Sequence, residues 1–100
     1  MIIVIQRKGK ILVVGHAGFA EPGKDIVCAG VTTLVENLIQ SINDLTRDKI
    51  QYTIKPGVAD IRYKDLSKAG KLLVDSFFLG ARWISNEFPG NVKVCPEKKD

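Results

Sequence analysis

Residues 2–14 read IIVIQRKGKILVV, two apolar runs on either side of a basic turn. Ile2–Ile5 is one predicted strand and Ile11–Val14 is the strand that returns. Lys8, Gly9 and Lys10 make the turn between them. The apolar residues are almost continuous, as in central strands that are well covered. The chain that follows has to extend or cover this hairpin.

Gly15–Lys24 breaks the pattern with three glycines and Pro22, so it is a loop. Asp25 is placed to cap a helix running to about Asp44. Val27, Val31, Leu34, Leu38, Ile42 and Leu45 recur at steps of three and four and form its apolar stripe. Gly30, Val31, Thr32 and Thr33 are weak helix formers, so packing must hold the first half of this helix. Ile50–Ile54 and Val58–Tyr63 alternate as strands around a Pro56–Gly57 turn. A second helix is expected from Asp65 to about Phe88, with Leu66, Leu73, Phe77, Ala81, Ile84 and Phe88 inward. Val92–Cys95 is a short last strand. The order is ββαββαβ, an α+β fold with two helices on one face of a mainly antiparallel sheet.

The 100 residues fit one small domain, 1–100, with a single shared core. The 45% hydrophobic and 26% charged content is that of an ordinary globular protein. No run approaches the roughly 18 apolar residues of a membrane span. The first residues place apolar before basic, the reverse of a signal peptide. The expected location is the cytoplasm, with Cys28 and Cys95 as free thiols. The net charge of +4 is spread as single lysines and arginines, and the terminal EKKD reads as a solvated tail.

Chemistry concentrates in GHAGFAEPGKDIVCAG, residues 15–30. His16, the sole histidine, ends a strand. Cys28 lies twelve residues on, in the first turn of a helix. An imidazole can take the thiol proton, and a helix N-terminus favours the thiolate. The amides of Val27, Cys28 and Ala29 are expected as donors to an oxyanion. Gly15 and Ala17 leave room for a substrate backbone beside His16, and Ala29 keeps the helix start uncrowded. Gly18, Phe19, Ala20, Glu21, Pro22 and Gly23 form a loop able to close over a peptide. Asp25 reads first as an N-cap. Thr32 stands one turn beyond Cys28, where it either bonds near the thiol or back-bonds to the helix. No cofactor or metal is required.

Gly15–His16–Ala17, a glycine-bearing loop, and Asp25–Ile26–Val27–Cys28–Ala29–Gly30 with Thr32 resemble the ribosomal-processing cysteine protease Prp family. The motif covers about the first third of the chain, and the element order agrees over the rest. The resemblance implies a cysteine endopeptidase with a Cys–His dyad. His16 would be the base and Cys28 the nucleophile. Asp25 matches the family's aspartate and Thr32 its hydroxyl residue. It further implies a homodimer that removes an N-terminal extension, ending in bulky apolar residues, from a large-subunit ribosomal protein. Some relatives act on phage capsid or scaffold proteins. This chain departs in its more apolar loop, in threonine where serine is common, and in its more basic balance.

On this reading Phe19 and Phe88 line an apolar pocket for the substrate, and Phe78 or Trp83 supplies a patch between the two copies. One alternative is a basic RNA-binding module using Lys55, Arg62 and Lys64. The chain lacks paired stacking aromatics and a glycine clamp, which argues against direct nucleic-acid binding. A metal site from His16, Cys28 and Cys95 ranks last, having three ligands without paired spacing.

Overall fold

A computed structural model describes residues 1–21 and 23–97. Pro22 and the last three residues of the predicted tail lie outside them. The elements are β1 (Ile2–Arg7), β2 (Lys10–Val14), α1 (Ile26–Leu45), β3 (Ile50–Lys55), β4 (Val58–Tyr63), α2 (Lys68–Glu87) and β5 (Val92–Cys95). The ββαββαβ order is as predicted. One sheet runs β3-β4-β2-β1-β5, antiparallel throughout except where β5 pairs parallel to β1.

The two-residue period of the strands sends Ile2, Val4, Ile11, Val13, Ala59, Ile61 and Val92 into one buried face. Both helices pack there. The opposite face is less covered than the near-continuous apolar runs predict. Ile3, Ile5, Leu12 and Val14 are half-buried, shielded by neighbouring strands because neither helix crosses to that side.

α1 buries Val27, Val31, Val35, Leu38, Ile39 and Ile42. Burying a side chain of this size contributes about 1.5–3 kcal/mol, which offsets the weak helix formers in its first half. The helices meet closely. A Cβ on Gly80 would lie 2.8 Å from Leu34, and one on Gly30 would lie 3.3 Å from Ile84. The stripe stops short of the prediction, since Leu45 is 72% exposed. The chain already turns at Thr46, whose hydroxyl donates to the Ile42 carbonyl at 2.7 Å.

α2 starts three residues later than expected. Asp65 has φ +51°, a left-handed conformation that cannot open a helix. Ser67 is the cap, its Oγ accepting from the Gly70 N–H at 3.1 Å. Asp48 fixes the cap by accepting from the Ser67 N–H and hydroxyl. Phe77 and Phe78 are both buried and meet edge to face. Phe78 is 2% exposed and so is no surface patch, whereas Trp83 is 64% exposed.

Candidate active site

The loop after β2 is held by one carboxylate. Asp25 caps α1 as predicted, with Oδ1 accepting from the N–H groups of Val27 (3.0 Å) and Cys28 (2.9 Å). Its Oδ2 reaches back to accept from Phe19 (3.0 Å) and Ala20 (3.3 Å). The residue is buried, at 8% exposure. These bonds, led by that from Cys28, hold its carboxyl below the usual carboxylate range. An edge-to-face pair of Phe19 and Phe88, 5.3 Å between centroids, ties the same loop to the end of α2.

The cap occupies the amides expected to face an oxyanion. Val27 and Cys28 donate to the Asp25 side chain, and Ala29 donates to the Asp25 carbonyl at 3.1 Å. The donor that does point at the thiol comes from the loop. The Ala17 N–H lies 3.3 Å from the Sγ of Cys28. Ala17 is buried, and its carbonyl accepts from Nδ2 of Asn91 at 2.9 Å. Asn91 precedes β5, 74 positions away, and no local pattern marks it.

His16 and Cys28 border the same cavity of about 380 Å³, the thiol half-buried and the imidazole exposed. Among the described residues no hydrogen bond joins them. The imidazole instead lies against the β3–β4 turn, where a Cβ on Gly57 would be 3.0 Å from Nε2. Gly57 has φ +75°, and its carbonyl accepts from the Gly15 N–H at 2.8 Å. Gly15 itself, at φ +98°, leaves no space for a side chain, because a Cβ would collide with the Met1 carbonyl. The turn thus sets where His16 leaves the sheet.

Thr32 borders the cavity and is exposed. The residue that back-bonds to the helix is Thr33, to the Ala29 carbonyl at 2.8 Å. Phe19 and Phe88 do not line the cavity. Its apolar lining includes Val35, Ile54 and Val58, from α1 and the β3–β4 hairpin. Gly18, Phe19, Ala20, Glu21 and Gly23 form the loop above Asp25, all of them exposed.

The rival sites do not assemble. Cys95 pairs beside Ile5, on the sheet face turned away from the helices. Among the described residues no three His, Cys, Asp or Glu side chains converge on a metal position. Lys55 ends β3 beside the cavity, while Arg62 and Lys64 lie at the opposite end of the hairpin. Arg62 forks onto Asp60 at 3.2 and 3.3 Å. No helix among the described residues is long and apolar enough to cross a membrane.

A family model described as "Cysteine protease Prp" matches residues 2–93. The ribosomal processing cysteine protease Prp of Staphylococcus aureus is 29% identical over 98 residues, covering 92% of both chains. That of Mycoplasma genitalium is 29% identical over 85 residues, covering 83% of both. The crystal structure of the S. aureus protease with a covalently linked product peptide superimposes with a TM-score of 0.90. It is 25% identical and covers 96% of this chain and 99% of that one. A match across nearly the whole chain, with the cysteine and histidine of the motif on one cavity, places this protein in the cysteine protease Prp family, hydrolases of peptide bonds.

Proposed function

We propose that this protein is an endopeptidase that trims an N-terminal extension from a large-subunit ribosomal protein, with Cys28 as nucleophile and His16 as base. The observation that carries the site is the Ala17 N–H directed at the Cys28 sulfur, in a cavity bordered by the sole histidine. Named relatives process ribosomal protein through a cysteine, which supports the substrate class.

The exposed imidazole turns from Gly57 to the thiol when substrate fills the cavity, a side-chain rotation that is fast on the scale of turnover. Cys28 Sγ bonds to the scissile carbonyl carbon as its proton passes to His16. The carbonyl oxygen, now an anion one bond from that carbon, comes within reach of the Ala17 N–H. The C–N bond breaks, and the leaving amine takes the proton from His16. Water then loses a proton to His16 and opens the thioester, freeing the acid and the thiol. Asp25 and Asn91 are positioning residues: the first joins the loop to the helix start, and the second holds the Ala17 peptide. Val35, Ile54 and Val58 suit the bulky apolar side chains before the cut. The enzyme works as a single domain over residues 1–100, in the cytoplasm, as a homodimer joined through the exposed stripe Leu72, Leu79 and Trp83 on α2.

The test is cleavage of a peptide spanning the ribosomal protein's extension by the native chain and by Cys28→Ala. The native chain should cut at a single bond and the variant should not, with equal circular dichroism. Cleavage by a clean Cys28→Ala preparation overturns the assignment of the nucleophile. Failure of the native chain, with Cys28 still alkylated rapidly, overturns the substrate.

A further inference from the structure

A cavity larger than the catalytic one lies at the other end of the sheet from Cys28. It is about 1000 Å³, open to solvent, and shares no residue with the catalytic cavity. The β1–β2 turn, the start of β3, the end of β4 and the first turn of α2 meet there. They bring together Lys8, Lys49, Arg62, Lys64 and Lys71, with Asp65 as the one carboxylate in the lining. Asp60 engages Arg62, which leaves four lysines beside Asp65 in the lining. The charge that looks dispersed along the sequence is therefore gathered by the fold.

Arg62 is spoken for by Asp60, but Lys8, Lys49, Lys64 and Lys71 have no salt bridge among the described residues. Two lysines, Lys68 and Lys71, also occupy the first turn of α2, and no acidic residue does. That is the end where the helix dipole disfavours cations. The carboxylate that faces this helix end is Asp48, which is held by the Ser67 cap and forms no salt bridge with these lysines among the described residues. Tyr63, half-buried, forms part of the wall. Cations tracking an open groove beside an aromatic ring are the combination that holds a single-stranded nucleic acid. The density of charge favours it over an acidic peptide. A nucleic acid offers a charge on every unit of its backbone, while an acidic peptide carries them only where its sequence provides.

We propose that this cavity is a docking site for the phosphodiester backbone of a nucleic acid, with Lys8, Lys49, Lys64 and Lys71 as the phosphate contacts. The site stands independently of which protein the enzyme cleaves. It would hold the enzyme on a nucleic-acid-bearing particle while the opposite end cuts.

The experiment is fluorescence anisotropy of the full chain with a labelled single-stranded RNA of about 16 nucleotides, the matching DNA, and poly-glutamate as competitor. Four single-strand phosphate contacts give a log–log salt slope of about −2.8, so affinity should fall about fifty-fold between 50 and 200 mM salt. The triple variant Lys49→Gln/Lys64→Gln/Lys71→Gln should bind at least tenfold more weakly and flatten the slope by about 2. Lys55→Gln, at the far end of the hairpin, should match the native chain in binding. Cleavage of a short peptide by the triple variant should also match the native rate, which separates this site from the catalytic one. Equal binding of RNA and DNA identifies the backbone charge alone as the determinant, and a tenfold preference for RNA adds a 2′-hydroxyl contact; either supports the site. Binding shallower than about −1.4 in slope, a triple variant within twofold of native, or displacement by poly-glutamate at equal charge concentration overturns it.

Discussion

The backbone N–H of Ala17 donates to Sγ of Cys28 at 3.3 Å, across a gap of eleven residues. That contact joins the end of β2 to the first turn of α1 and gives the sulfur a fixed dipole. The helix start supplies no free amide of its own at Val27, Cys28 or Ala29, because Asp25 engages all three. The Ala17 amide is therefore the donor on hand when charge develops beside the sulfur.

Replacing that amide by an ester, through lactic acid at position 17 in a semisynthetic chain, removes the N–H and little else. The expected loss is about 10²–10³ in kcat, the range for one oxyanion donor. KM should change much less, since the bond matters most when the oxygen is charged. A semisynthetic enzyme with native kcat would remove Ala17 from the chemistry.

Asn91 predicts a smaller, two-part effect. In Asn91→Leu the Ala17 carbonyl, a buried group, loses its donor. An unsatisfied buried acceptor costs about 1–3 kcal/mol, which urea denaturation should detect. The freed Ala17 peptide should also lower kcat by about tenfold. A purely structural Asn91 would move the urea midpoint and leave kcat in the folded enzyme unchanged.

The element order, the hairpin and the Asp25 cap were legible because each depends on neighbours a few positions apart. Strand alternation, helical spacing and capping chemistry are local signals. Pairing of His16 with Cys28 in one cavity was legible for a similar reason, since a single loop joins them. Asn91 and Gly57 were not. Each acts on the site from a distant segment, through a carbonyl or a missing side chain, and neither residue type announces that use. The oxyanion donors were misplaced because a capped helix and an uncapped one look alike until the Asp25 carboxylate is seen to take the amides. Phe78 was misjudged for a packing reason: the buried face of α2 is wide enough to take it beside Phe77, which it meets edge to face.

Asp25 sets an acid limit. Its carboxyl is depressed in the folded protein, led by the Cys28 N–H bond. A depressed carboxyl stabilises the fold at pH above its unfolded value of about 3.9 and loses that contribution as pH falls through the folded value. Hydrogen exchange at the Phe19 and Ala20 amides should therefore show protection from neutral pH down to about 4, fading below it. In Asp25→Asn that pH dependence should vanish. Amides still protected in the same way in the variant would show that another group holds the loop.

Gly57 bears on His16 through its missing side chain and through its carbonyl, which accepts from the Gly15 N–H. A Cβ there would stand 3.0 Å from Nε2, at a φ of +75° that side chains rarely adopt. Gly57→Ala should displace the imidazole, and a misplacement of about 1 Å costs about 10² in rate. Full activity in the variant would show that the imidazole does not depend on the turn.

The outer face of α2 carries the last prediction. Leu72, Leu79 and Trp83 are spaced by seven and four residues, so they share one face of the helix, and all three are largely exposed. Trp83 is a large rigid anchor of the kind that dominates interfaces. A stable pair buries roughly 1,200–2,000 Å² in total, so these side chains would be the centre of a contact and their neighbours its rim. Leu79→Glu/Trp83→Glu should sediment as a monomer while the native chain sediments as a dimer. Phe78→Glu is the contrasting change, because it places a charge in the core and should unfold the protein. A native chain that stays monomeric at micromolar concentration would leave this stripe without a second copy to cover it.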